Sequence, residues 1–347
     1  MTQIGFIGLG NMGFPMAQNL IKAGHAVIGF DIQEPAREKF VAAGGNAATS
    51  LDAACMGAEV IITMLPAGKE VRDVYLGQGG VLASAADGAL LIDCSTIDIE
   101  SARAVAAAAS VNELAIVDAP VSGGVASAEA GALTFIVGAS TGNFERAKPV
   151  LEAMGKTIIH AGGTGDGQAA KICNNLILGV SMIVVSEAFL LAEKLGLDAQ
   201  KFFEVASQSS GQCWSLTKYC PVPGPVPSSP ANRDYKAGFT AAMMLKDLKI
   251  AQAAAKSAGA KAPLGAGAAA LYNLYVEQGH AEKDFSGIIK LLDDRKEEPA
   301  PEPSETPAAS EGPAASQAPA ASQAPAVSET PAPSEASSTN NGRTSDV

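Results

Sequence analysis

The hexapeptide Gly8-Leu9-Gly10-Asn11-Met12-Gly13 constrains this chain more than any other stretch. It follows the short apolar run Ile4–Ile7 and opens the helical pattern Asn11–Ala23. A strand that turns directly into a helix needs a residue without a Cβ at the bend, which Gly8 supplies. Gly13 lets the helix pack on the strand, and Gly10 leaves the backbone bare at the helix N-terminus. The unpaired N–H groups and the positive end of the helix dipole then face an anion. In a strand–turn–helix frame this spacing predicts that Gly8, Gly10, Asn11, Met12 and Gly13 hold the pyrophosphate of a dinucleotide. Asp31 closes the next apolar run, Ala26–Phe30. A carboxylate there accepts hydrogen bonds from both adenosine ribose hydroxyls and repels a 2′-phosphate, which favours NAD over NADP. Arg37, the nearest cation that would offset this, falls inside the following helical pattern.

The alternation begun at residue 4 continues. Val60–Met64, Leu90–Asp93, Leu114–Asp118, Thr134–Val137 and Thr157–His160 read as strands, with helix-length segments such as Ile99–Ala109 between most of them. That alternation predicts an α/β domain over residues 1–163, a Rossmann-type doubly wound, mostly parallel sheet with helices on both faces. After Gly167 the texture changes. Residues 167–195 form one long apolar helical pattern that joins an all-α domain over residues 164–295. A membrane span over Leu176–Ala192 is the competing reading; Ser181, Ser186 and Glu187 interrupt it, and a helix buried between domains or subunits fits better. Phe202–Ser207, Ala241–Ser257, Pro263–Gln278 and Phe285–Leu292 read as further helices, while residues 220–230, with five Pro, read as an irregular loop.

Composition decides the remainder. Residues 299–347 hold nine Pro and no Leu, Ile, Phe, Tyr, Trp or Met, with Pro recurring every six residues from Pro307 to Pro331. Such a segment cannot bury enough apolar area to offset its ordering entropy, so residues 296–347 are expected to be a disordered low-complexity tail. The formal charge of -12 for the whole chain argues against a nucleic-acid partner. Three scattered histidines and five cysteines without CxxC spacing give no metal site. The odd cysteine count, with no leader pattern, predicts reduced thiols and a cytoplasmic protein with no membrane partner.

Three patches carry chemistry. Lys171 lies near the start of the long helix, with Asn174 and Asn175 at i+3 and i+4 on one face. Desolvation brings a lysine towards neutrality, and an asparagine orients it without adding charge, so Lys171 reads as a general acid/base; a lysine merely snorkelling from an interface is the bland alternative. Asp118-Ala-Pro-Val-Ser122-Gly123-Gly124 ends a strand and opens a short helix, and its turn N–H groups with the Ser122 hydroxyl suit a carboxylate. Phe239, then Lys246-Asp247, form the third patch; a Lys-Asp pair alone is usually solvent-facing.

Together these patches resemble the β-hydroxyacid dehydrogenase family, from about residue 3 to residue 292. GFIGLGNMGFPMAQNL (5–20), DAPVSGGVASAEAGALTFIVG (118–138), GDGQAAKICNN (165–175) and FTAAMMLKDLKIA (239–251) are similar, in order, to its dinucleotide motif, substrate segment, catalytic helix and cofactor-side Lys-Asp motif. Residues 209–239 and 283–292 resemble its 3-hydroxyisobutyrate dehydrogenase branch. The resemblance implies NAD-dependent oxidation of 3-hydroxyisobutyrate to methylmalonate semialdehyde in valine catabolism, by a homodimer or homotetramer. It implies Lys171 as acid/base with Asn175 beside it, and Ser122, Gly123 and Gly124 on the substrate carboxylate. Leu65 and Pro66 would border the adenosine and pyrophosphate, Thr96 the nicotinamide ribose, and Lys246 would reach the cofactor. Asp247 would orient Lys171 or Lys246, and Trp214 and Phe239 would wall the substrate pocket. The rivals are another short hydroxy acid such as glycerate or 4-hydroxybutyrate, an imine reductase, against which Lys171 argues, and a non-catalytic NAD-binding scaffold.

Overall fold

The computed structural model describes residues 1–293, so the expected tail lies outside the described residues. Among the described residues, nine strands form one sheet: β1 (Gln3–Ile7), β2 (Ala26–Phe30), β3 (Asn46–Ala47), β4 (Val60–Thr63), β5 (Leu90–Asp93), β6 (Ala115–Asp118), β7 (Val121–Ser122), β8 (Leu133–Gly138) and β9 (Gly155–Gly162). The order β3-β2-β1-β4-β5-β6 is parallel throughout and doubly wound, and it reverses direction between β1 and β4. The glycine turn leaves the C-terminal end of β1 at that reversal, where open α/β sheets bind their ligands.

Strand alternation builds two cores, one per face. Ile4, Phe6, Ile62 and Ile92 join one apolar cluster, while Ile7, Ile61 and Leu91 join the other. The short pairs β3 and β7 hold two residues each, too few to show a period, and are absent from the sequence reading. Their consequence is larger than their size: β8 runs antiparallel to β6 and β7, so the sheet departs from parallel at one end, where Ser122 pairs with Thr134.

At Asp166 the architecture becomes helical, and the described residues nonetheless fall in one compact unit. The long helix spans Asp166–Lys194. Gly165 starts it in the left-handed region (φ 86°), without a cap from its own side chain. Asp118, at the end of β6, does the capping instead: Gly165 N donates to Oδ1 at 2.7 Å and Gln168 N to Oδ2 at 3.0 Å. Further along, Met182 and Ile183 pack against Met244, Leu248 and Tyr272, while Val185 and Phe189 pack against Leu216, Cys220 and Tyr235. Gly179 permits the close crossing, since a Cβ there would stand 2.9 Å from the Leu248 side chain. The helix is long and apolar enough to cross a membrane, but buried Gln168, Lys171, Asn175 and Ser186 mark it as an interior helix of a folded unit. Its outward face is also apolar: Ile177, Val184, Leu191 and Leu195 are exposed, at 69%, 55%, 60% and 76%.

Helix Ala241–Ser257 has the expected bounds, and Ala199–Ser207 starts three residues before the expected Phe202. Pro263–Tyr275 ends earlier than expected: Val276–His280 widens, and Gly279 (φ 91°) breaks it. Phe285–Gly287 is a tight turn that leads into the short helix Ile288–Leu292, rather than one continuous helix.

Candidate active site

The three glycines of the turn answer to different demands. Gly8 sits at φ 95°, and a Cβ there would collide with the Met64 carbonyl. A Cβ on Gly13 would collide with the Gly8 carbonyl. Both are glycines because the fold needs them. Gly10 differs, for it is exposed and a Cβ there meets nothing within 4 Å. The space it leaves is a cradle for a group outside the chain. Asp31 completes that edge: its Oδ2 accepts from Leu9 N at 2.8 Å and its Oδ1 from Gln33 N at 2.8 Å. The carboxylate is thus aimed at the glycine turn with lone pairs still free. Arg37 lies close by, its Nη1 donating to the Asp31 carbonyl at 2.6 Å. The open cradle and the fixed carboxylate fit a dinucleotide.

The next two loops along the sheet are tied together beneath this edge. Leu65 N donates to Ser95 Oγ at 2.8 Å, and Ser95 Oγ donates to Asp93 Oδ1 at 2.6 Å. Thr63 Oγ1 adds a bond to the same oxygen at 2.8 Å. Burial pushes the Asp93 carboxyl up to about 6 against the lowering effect of the Ser95 and Thr63 bonds. From the helical half, Lys246 Nζ reaches across and donates to the carbonyls of Pro66 (3.1 Å) and Thr96 (2.9 Å). Gln168 clamps the same loop, with Nε2 on Ser95 O at 2.7 Å and Ile97 N on its Oε1 at 3.1 Å. Leu65, Pro66, Thr96 and Lys246, remote in sequence, therefore form one place.

Lys171 lies one turn beyond Gln168 and is buried, at 6% exposure. Burial lowers its ammonium from the ordinary lysine value to about 8; the Asp247 charge opposes this and the Lys246 charge adds to it. Asn175, at 1% exposure, donates through Nδ2 to Asp247 Oδ2 at 2.5 Å. The other oxygen of Asp247 stands 3.4 Å from Lys246 Nζ as an ion pair and accepts no hydrogen bond. Asp247 is thus bonded to Asn175 and paired with Lys246, while it acts on Lys171 through its charge. Asn174, placed on the same face as Lys171 by spacing, is exposed and donates to Asn175 Oδ1 at 3.0 Å. It sits at the rim of the helix face while Lys171 and Asn175 point inward.

Ser122 closes β7, and Gly123 (φ 131°) and Gly124 (φ 68°) make the turn after it, a path that side chains disfavour. Gly124 lies against the Gly238 carbonyl, since a Cβ on it would come within 3.4 Å of that oxygen. The turn and the segment carrying Phe239 therefore meet. Trp214 is half exposed and stacks on Tyr219, ring centroids 4.9 Å apart. It reaches the rest of the site through Tyr219, whose hydroxyl donates to Asp284.

Sequence reasoning passed over Gln168, Ser95 and the capping role of Asp118. Gln168 and Asp118 fall inside the quoted segments 165–175 and 118–138, and the i+3 spacing of Gln168 to Lys171 was a usable signal. Ser95 had none, because its role depends on the pairing of β4 with β5.

A doubly wound sheet with an open glycine cradle, an acid at its rim and a desolvated lysine beyond the strand ends defines a dinucleotide-dependent dehydrogenase. Residues 3–163 match the family described as the NAD binding domain of 6-phosphogluconate dehydrogenase, and residues 165–292 match the NAD-binding domain of NADP-dependent 3-hydroxyisobutyrate dehydrogenase. The chain is 52% identical to a 3-hydroxyisobutyrate dehydrogenase of Pseudomonas aeruginosa and 50% identical to an NAD-dependent L-serine dehydrogenase of the same organism. Each alignment covers 84% of this chain and 98% of the relative. A solved 3-hydroxyisobutyrate dehydrogenase of Mycobacterium tuberculosis with L-serine superposes with a TM-score of 0.80 at 50% identity, over 84% of this chain and 99% of that one. The chain belongs to the β-hydroxyacid dehydrogenase family, and it is an NAD-dependent oxidoreductase of hydroxy acids.

Proposed function

We propose that this enzyme oxidises the primary alcohol of 3-hydroxyisobutyrate to methylmalonate semialdehyde, a step of valine breakdown. The observation that carries the reading is Lys171, buried on the helix that clamps the Ser95–Ile97 loop, with its ammonium lowered to about 8. The Gly8–Gly13 turn, Asp31, Leu65, Pro66 and Thr96 would hold NAD, which takes up the hydride when bound. The Ser122 hydroxyl and the Gly123–Gly124 backbone grip the substrate carboxylate. The neutral amine of Lys171 removes the hydroxyl proton as the carbon loses its hydride, and the resulting ammonium returns that proton to solvent. Asn175, fixed by Asp247, orients the amine and the hydroxyl. Trp214 and Phe239 enclose the rest of the acid and keep water from the aldehyde.

L-serine is the second reading, favoured by the two L-serine names among the relatives. It presents the same carboxylate and primary alcohol, with an ammonium in place of the methyl group. The deciding experiment is kcat/KM for 3-hydroxyisobutyrate, L-serine, glycerate and 4-hydroxybutyrate, each with NAD and NADP. The highest value is expected for 3-hydroxyisobutyrate with NAD, at least about tenfold above NADP, because Asp31 repels a 2′-phosphate. A higher value for L-serine would replace the first reading by the second.

The working form is a homodimer or homotetramer in the cytoplasm. The exposed stripe Ile177, Val184, Leu191 and Leu195 supports the first statement, since so long an apolar row is ordinarily covered. Free thiols at Cys55, Cys94, Cys173, Cys213 and Cys220 support a reducing compartment. Sedimentation is expected to return more than one chain per particle, and a monomer for the Ile177→Glu, Val184→Glu double variant; a monomeric wild type refutes the oligomer.

A further inference from the structure

Asp284 lies in the C-terminal segment and belongs to none of the three chemical patches. It is completely buried and accepts five hydrogen bonds. They divide by oxygen. Oδ1 takes Ser286 N at 3.0 Å and Ser286 Oγ at 2.7 Å, an ordinary cap of the turn that follows. Oδ2 takes three donors from far along the chain: the Tyr219 hydroxyl at 2.8 Å, Gly238 N at 2.9 Å and Phe239 N at 3.1 Å. A cap needs only the first set. The second set converges on the residues around the substrate turn.

The neighbours of Asp284 reinforce the convergence. Phe285 N donates to the Phe239 carbonyl at 2.9 Å, and its ring stacks on Tyr219 at 5.2 Å and meets Phe239 edge-on at 5.6 Å. Trp214 stacks on Tyr219 in turn. Gly238 has no room for a side chain, because a Cβ on it would come 2.7 Å from the Tyr219 hydroxyl. Its carbonyl faces Gly124. Burial, and then the Asp284 charge, push the Tyr219 hydroxyl far above its ordinary value, so it stays a donor to Asp284.

We propose that Asp284 is a positioning residue for substrate: its Oδ2 fixes Tyr219 and the Gly238–Phe239 peptide, and so sets the Trp214–Phe239 wall against the Ser122–Gly124 turn. This rests on the reading that Trp214 and Phe239 border the hydroxy acid. Asp284 does not touch the reacting atoms, so its loss raises KM and leaves the proton transfer at Lys171 largely intact. The two oxygens make the separation testable. Ser286→Ala weakens only the cap on Oδ1. Asp284→Asn keeps one carbonyl oxygen and loses the charge that five donors share, while Asp284→Ala takes the acceptor from all five, two of them buried and three partly buried.

The experiment measures KM and kcat for 3-hydroxyisobutyrate, NAD affinity and Trp214 emission in the full chain. Trp214 is the only tryptophan in the sequence, so its emission reports the wall directly. Expected in Asp284→Asn is a KM about tenfold higher, kcat within about threefold, unchanged NAD affinity and a shifted emission maximum. Asp284→Ala goes further in KM, and Ser286→Ala stays at wild type. If the alanine variant does not fold, the asparagine and Ser286 variants still decide. A KM within twofold of wild type in Asp284→Asn overturns the proposal, as does a Ser286→Ala effect of equal size or an unchanged emission. Wild-type enzyme that turns over no hydroxy acid overturns the dehydrogenase reading instead, a result that the emission measurement does not depend on.

Discussion

Replacing Lys171 with Ala is expected to lower kcat by about two to four decades while NAD binds as before, since a positioned acid/base contributes that much. The side chain is buried one turn before Asn175 on the long helix, which carries no residue of the glycine turn, so the loss falls on proton transfer. Its signature is a pH profile. Oxidation uses the neutral amine, so kcat/KM for the alcohol rises with pH and levels off above about 8, where burial has brought the ammonium. Aldehyde reduction uses the ammonium and declines above the same value. Lys171→Ala removes this limb from both profiles. Asp247→Asn removes the charge that holds the ammonium up, so it moves the limb to lower pH. Near-normal turnover in the alanine variant would end the assignment of Lys171, and an unmoved limb would end that of Asp247.

Gly10→Ala and Gly13→Ala are expected to fail in opposite ways. The Gly10 methyl meets nothing in the protein, so the variant folds and melts like wild type. It fills the space a pyrophosphate needs, and the NAD dissociation constant rises by about one to two decades, or about 1.4 to 2.8 kcal/mol. The Gly13 methyl collides with the Gly8 carbonyl, so helix and strand must separate and the melting temperature falls before any ligand is added. Calorimetric titration and thermal melts of the two proteins check the pair. Unchanged NAD affinity in Gly10→Ala would show that the cradle is not used.

The N-terminal half was legible because its signals are local. The short apolar runs Ile4–Ile7 and Val60–Thr63, and a glycine turn with a fixed spacing, each carry their meaning within a few residues. The mostly parallel, doubly wound sheet followed from the strand–helix alternation; the edge strand β3, two residues long, did not. The antiparallel return from β7 to β8 did not, because two residues show no period and the chain comes back only after the short helix Gly124–Glu129. In the helical half, helix positions were legible and their partners were not. That Lys246 reaches Pro66 and Thr96, or that Asp247 holds Asn175, depends on how helices cross, which periodicity does not encode. The resemblance named those residues; only the fold explains Asp118, Gln168 and Asp284, whose work is to hold other groups. The error at Asn174 has the same origin: i+3 and i+4 share a face, but the edge of that face is set by what packs on it.

The Lys246 crossing alters how the molecule can move. Asp118 grips the head of the long helix, Gln168 grips the Ser95–Ile97 loop, and Lys246 spans back to Pro66 and Thr96, so three rivets cross the seam between sheet and helices. A wide hinge along that seam would break all of them at once. The Gln168 and Lys246 bonds that steady the Pro66 and Ser95–Ile97 loops also join the halves, so a ligand seated there tightens helices it never touches.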